Sequence, residues 1–322
     1  MHLLILPEKM MSVARSDELF TPIPTKPTAA DRMAELNLSL SPEIDYDFDS
    51  MFPKTDGWGW KAQMKKKVKL IQQIEPELLD CLHEGERVLY VAKGVRYSFV
   101  EFYFMGLWAS MINHTQFVLT NLRLIMIHCN SRGKAKRTFW MLYYSQIEKF
   151  KGTWNGMLNL KLKDGKKLSF SGFSKSDRKE MPTIFQQALD RYRESGFNPT
   201  TSQSLENLCS YCKDQVPAQT HTCENCGATY WTPTQLAWRS FVFPSWGDFL
   251  MGHTSIAVLE MFGGIITWTT LLIGIQRWAE TGNTVPLVVA LFAFVIAHSI
   301  DAIITVKIAK KGLHPKTMPD PA

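Results

Sequence analysis

The stretch Phe117-Val-Leu-Thr-Asn-Leu-Arg-Leu-Ile-Met-Ile127 holds two short apolar runs on either side of Thr120-Asn121. Runs of this length bounded by turn chemistry read as strands, here at 116–119 and 123–128. Working outward, similar runs occupy 87–92, 98–104, 137–143, 147–151, 158–162 and 167–171. A polar turn falls at 130–134, and Asp164-Gly165 is the strongest hairpin signal in the chain. The run closes in a helix that Ser176 or Asp177 caps, with Met181, Ile184, Phe185, Ala188, Leu189 and Tyr192 as its apolar stripe and Gly196 at its end. About seven strands and a terminal helix predict a small antiparallel barrel or sandwich whose open end the helix covers.

Upstream, Trp58 and Trp60 lead into Lys65, Lys66, Lys67 and Lys69, followed by Leu70, Ile71, Ile74, Leu78, Leu79 and Leu82 at helical spacing. This predicts an amphipathic helix that restarts at Glu75-Pro76. Residues 12–55 mix Pro, Thr, Ser and acids without a sustained period, so 1–57 is expected to be a disordered or extended tail. Residues 1–7 are apolar but lack the basic segment and the length of a signal peptide.

Four pieces in order resemble the bacterial PH-like and GRAM-like families: Glu84-Gly85-Glu86, the 117–127 stretch, Ser145-Gln146-Ile147-Glu148, and Asp164-Gly165-Lys166 with Leu168-Ser169-Phe170. The resemblance covers about 75–196 and implies a PH-like barrel or sandwich with a C-terminal helix. It also implies a binding module, since these families often use protein contacts or self-assembly in place of phosphoinositides. One departure is the apolar excursion at 106–113, where Leu107 and Trp108 are candidates for a partner surface.

Cys209-Ser-Tyr-Cys212 and Cys223-Glu-Asn-Cys226-Gly227 present paired thiols at the spacing of a tetrahedral Zn2+ site. A closed four-sulfur site is structural, so one zinc per chain is expected in a ribbon at 199–230, with His221 as a loop residue. Cys81 and Cys129 stand apart, a usage that fits a reducing compartment and a cytoplasmic head. The loop between the pairs carries only Lys213, which argues against a nucleic-acid reader.

Two long apolar runs follow, 249–275 broken by His253 and Glu260, and 285–306 broken by His298 and Asp301. Each exceeds the roughly 20 residues that span a bilayer core. They predict a transmembrane hairpin over 249–311, with a tail at 312–322. Lys307, Lys310, Lys311 and Lys316 place both ends in the cytoplasm of a two-span inner-membrane protein. Ahead of the hairpin, 231–248 is aromatic, and 236–243 is expected to lie along the interface. Arg239-Ser-Phe-Val-Phe-Pro-Ser-Trp-Gly-Asp-Phe249 with Gly252-His253 resembles small two-span bacterial membrane modules, departing at Ser245, where they carry glycine. His298 and Asp301 share a helical face and are expected to meet Glu260 or His253, as a packing lock or as a proton or metal relay. Gly263, Gly264 and Gly274 allow close helix approach.

A net charge of +6 conceals an acidic first 60 residues, at −5, and a remainder near +11. Anionic lipid is the nearest partner for that remainder. Basic candidates are Lys65, Lys66 and Lys67; Arg132, Lys134, Lys136 and Arg137; and Lys161, Lys163, Lys166 and Lys167. The sequence holds no GxSxG, HExxH or phosphate-binding glycine loop, and His83, His114 and His128 are scattered. The expectation is a multidomain α+β membrane protein whose 58–198 head binds lipid headgroups, a protein partner or a second copy and catalyses nothing. The alternative is a small transporter or ion-conducting subunit.

Overall fold

Alternation along the central strands decides the architecture. The computed structural model describes residues 26–96, 112–153, 157–197, 199 and 204–317. In it β1 (Val88–Arg96), β2 (His114–Thr120), β3 (Arg123–Cys129) and β4 (Ala135–Tyr143) are successive antiparallel neighbours. Side chains alternate between faces: Val91, Val118, Ile125, Ile127, Phe139 and Met141 join one core, while Tyr90, Phe117, Leu119, Leu124, Met126 and Leu142 join another. Both faces are covered, which is why the 117–127 stretch reads as continuous apolar sequence. The strand expected at 98–104 and the candidates Leu107 and Trp108 lie outside the described residues.

The first core is roofed by α1 (Ala29–Glu35), α2 (Phe48–Met51), α3 (Trp60–Gln72) and α4 (Glu75–Cys81). This corrects the expected tail over its described part, 26–57. A capping box of Thr28 and Asp31 starts α1, Ala29, Met33, Ile44, Tyr46, Met51 and Phe52 are buried, and Tyr46 bridges to Val88. No period betrays the segment because it lends isolated apolar plugs to a sheet face that already exists.

On the second face, β5 (Ile147–Gly152), β6 (Leu158–Leu162) and β7 (Lys167–Ser171) continue the sheet from β1 and share its core, with the Phe117 and Phe170 rings 4.7 Å apart. Helix α5 (Lys175–Ser195) closes this β-sandwich-like unit with the expected stripe. Its cap is Ser174, whose Oγ accepts from the Asp177 N–H, two residues ahead of the earlier of the two expected caps. Glu86 and Arg123 explain two of the quoted motifs. Their side chains are 0% and 3% exposed and bond at 2.8 Å, and Thr120 Oγ1 donates to Glu86 at 2.6 Å. The network ties the β2–β3 turn to the loop before β1.

The cysteine module is continuous with the sheet: β8 (Glu206–Leu208) pairs with β4, and β9 (Gln215–Val216) pairs with β8. Beyond β10 (Thr229–Tyr230) come α6 (Pro233–Val242) and α7 (Trp246–Leu250), then two long apolar helices, α8 (Thr254–Thr281) and α9 (Val285–Ala309), whose 18-residue apolar stretches have mean hydropathy 1.8 and 2.4. They fit a two-span topology, with Ile266 and Phe292 66% and 68% exposed. The first apolar helix begins at 254, later than expected, because α7 and a turn at Gly252 intervene. Of the three glycines, Gly274 serves the α8–α9 contact, where an added Cβ would stand 3.0 Å from Ala290; Gly264 faces Pro244, and Gly263 faces open space.

The expected tail at 312–322 is also corrected over its described part. Lys311 and Leu313 carbonyls accept from Trp140 Nε1 at 2.7 Å and Thr138 Oγ1 at 3.0 Å, and β11 (Pro315–Thr317) pairs with β10. Gly312 lies so close to Thr138 and Trp140 that a side chain has no room there. The chain leaving α9 is thus sewn between β4 and the cysteine module, and the head is docked on the hairpin.

Candidate metal centre

Each cysteine pair sits on a tight turn whose backbone points the thiols inward. The Cys209 N–H donates to Asp214 O at 2.8 Å and the Cys223 N–H to Ala228 O at 2.9 Å, with Gly227 at φ +72° completing the second turn. Cys209 and Cys226 sulfurs lie 3.5 Å apart, those of Cys212 and Cys223 3.6 Å, and all four fall within 4.8 Å of one another. Zn–S bonds of about 2.3 Å at tetrahedral angles demand sulfurs about 3.8 Å apart. The four cysteines therefore form a cluster positioned to chelate a metal ion.

Tyr230, which the sequence reading missed, donates its O–H to Cys209 Sγ at 3.0 Å. Burial opposes ionisation of Cys209, yet the Tyr230 O–H and the N–H groups of Tyr211 and Cys212 outweigh it and bring the thiol down to about 7. Burial pushes Cys212 up, an opposition that a bound cation relieves. Lys213 pairs with Glu77 at 2.9 Å over the Phe139 ring. Burial pushes Cys81 and Cys129 up to about 12, as inert core thiols.

The basic candidates separate. Lys65 and Lys66 are exposed on α3, but Lys67 lies 3.3 Å over the Tyr90 ring and 3.8 Å from Asp177, and burial pushes it down to about 7. Arg132, Lys134 and Arg137 are exposed; Lys136 is half-buried and lowered by that burial. Lys161 pairs with Glu148, and Lys166 with Asp164, leaving Lys163 and Lys167 exposed. The β3–β4 turn carrying Arg132 and Lys134 is at the sheet end that meets the hairpin, where the His128 ring is 5.6 Å from His253. Lys163 and Lys166 instead contact Gln146 and Ser204, near Tyr143 and the opposite end.

The membrane set divides as well. His298 bonds Phe241 O at 2.6 Å and Thr267 Oγ1 at 3.0 Å and stacks on Phe294, so it fastens α9 to α6 and α8. Asp301 turns instead to Glu260 and to Asp248 of α7, three carboxylates within 4.8 Å. His253 Nδ1 meets Asp248 Oδ1 at 3.0 Å. Asp248 was hidden in an aromatic turn; the only signal was an acid among Trp246, Phe249 and their apolar neighbours. Ser245 stands at φ +86°, where the resembling modules carry glycine, a backbone state that disfavours a side chain by about 1–2 kcal/mol.

His128, His253 and His314 form a buried line between head and hairpin, with the His253 and His314 rings 6.3 Å apart. Burial pushes His128 well below the usual histidine range and His314 down to about 3, with Lys136 and His253 adding to both.

No family model and no curated protein matches the chain. Among solved structures, it is similar to the C-terminal domain of an unknown protein from Leishmania infantum, at 10% identity over 37% of this chain and 92% of that one, with a TM-score of 0.26.

Proposed function

We propose that the protein is a membrane-anchored, non-catalytic scaffold or sensor, whose PH-like head faces the cytoplasm and reads anionic lipid headgroups through the β3–β4 turn. The observation that supports this reading is the docking of one sheet end on the hairpin, the end whose β3–β4 turn carries the exposed Arg132 and Lys134, with Arg137 exposed just beyond it in β4. The strand order β5-β6-β7-β1-β2-β3-β4, followed by a covering helix, supports the PH-like assignment. Sulfur spacing and the Tyr230 donor support zinc as the metal, held as a structural clamp between β8 and β10. Lys307, Lys310, Lys311 and Lys316 support the cytoplasmic orientation. Trp238, 65% exposed on α6, suits the interfacial layer.

Hydrogen exchange on the full chain in nanodiscs, with and without anionic lipid, tests the proposal. The β3–β4 turn is expected to exchange more slowly on anionic discs, with the protection lost in high salt and in Arg132→Glu/Lys134→Glu. Each base near such a surface is worth about 1 kcal/mol. Identical exchange on both discs would reject the lipid reading. Co-purification of a stoichiometric protein on that turn would put a protein partner in its place.

A further inference from the structure

We propose that Asp248, Glu260 and Asp301 bind one hard divalent cation, of the Mg2+, Mn2+ or Ca2+ class, at the head-side end of the hairpin. The three carboxylates come from three elements, α7, α8 and α9, yet offer oxygens within 4.8 Å of one another. Asp248 is 1% exposed at its side chain; His253 holds its Oδ1, and Oδ2 is buried without a partner. Glu260 Oε2 and Asp301 Oδ2 are likewise shut from solvent and unpartnered. A fourth oxygen, outside the acidic cluster, shares this state: Ser245 Oγ is on a wholly buried residue and has no partner, while the Ser245 N–H meets the Asp301 carboxylate.

Among the described residues no lysine or arginine pairs with any of the three acids; their one ion-pair neighbour is His253. Carboxylates crowded at the edge of a low-dielectric layer need either protons or a cation. Glu260 and Asp248 are close enough to share a proton. Such sharing joins two of the acids and leaves Asp301 Oδ2 unanswered. A cation answers all three acids at once. The groups behind the cluster, His253 on Asp248 and the Ser240 hydroxyl on Asp301, orient the acids from outside, as the outer partners of ligating carboxylates do. An all-oxygen donor set selects hard cations and leaves a thiophilic metal to the cysteines. Bound there, the ion would staple α7 to both long helices. This site stands independently of what the β3–β4 turn binds.

The test is Mn2+ binding to the full chain in detergent, followed by electron paramagnetic resonance, with the cysteine-held metal quantified alongside. Wild type is expected to take up one Mn2+ per chain beyond that metal, displaced by Mg2+ or Ca2+, with a rise in melting temperature. Glu260→Gln and Asp301→Asn should each weaken uptake by about tenfold or more with the cysteine metal unchanged. If Asp301→Asn does not assemble, the wild-type stoichiometry and Glu260→Gln decide. Absence of uptake by wild type at millimolar Mn2+, or uptake unaltered in Glu260→Gln, would overturn the proposal. A more stable Glu260→Gln protein without any metal response would identify a proton-sharing cluster.

Discussion

Arg123 shows how much one side chain carries. Its guanidinium meets Glu86, the Cys81 carbonyl and the Met141 sulfur inside the domain, and it outweighs burial to hold Glu86 below its usual range. Removing one member leaves an uncompensated buried charge. Arg123→Ala is therefore expected to cost about 3–5 kcal/mol in chemical denaturation. Tyr230 is a subtler case: Tyr230→Phe keeps the ring and deletes the donor to Cys209. It should lower metal affinity by about 1.5–3 kcal/mol, the worth of a hydrogen bond to a charged group, in a competitive chelator titration. Cys223→Ser should release the metal outright. The cysteine ligands were legible because four thiols in two pairs have a spacing that metal chemistry dictates. Neither Tyr230 nor Asp248 was, since a tyrosine in a two-residue strand and an acid in a short aromatic helix become functional only through partners distant in sequence.

Elements were legible in proportion to how much core each one builds. Strands β2 to β7 and α5 build their own, and their runs stand out. The 26–57 segment and the stretch after α9 only borrow an existing surface, so their apolar residues keep no period. Docking of the stretch after α9 brings His314 to the buried histidine line, and it predicts an acid response. His128 and His314 titrate far lower folded than the 6.5 of a free side chain, so the unfolded chain binds more protons below that pH. Their contribution is complete above pH 6.5 and is lost as pH falls toward their folded values, at up to about 1.4 kcal/mol per pH unit for each. Lys136, Lys311 and Asp248 face the line, and Lys136 together with His253 deepens the effect on His128 and His314. Stability of the full chain in thermal unfolding should fall steadily from pH 6.5 to 4.5. His314→Phe should flatten that slope; an unchanged slope would remove the histidines from the account.

At the scale of the whole molecule, three units are welded into one body: the sandwich, the cysteine module on its edge and the hairpin beneath. The sequence order suggests a head, a cysteine module and a two-span anchor in succession. The return of Lys311 through Thr317 to β4 and β10 makes the head a fixed platform on that anchor. A fixed platform gives the basic turn a defined position relative to α8 and α9. The β3–β4 turn stands at one end of the hairpin and the α8–α9 connection at Asn283 at the other, so the two-span topology that these helices fit requires them on opposite sides. The most direct measurement is maleimide labelling of Lys134→Cys and Asn283→Cys in sealed inside-out vesicles. The account predicts that position 134 reacts at once and position 283 only after permeabilisation, with the protein retained through a carbonate wash. Reaction of both positions from the same side, or loss of the protein in the wash, would contradict it.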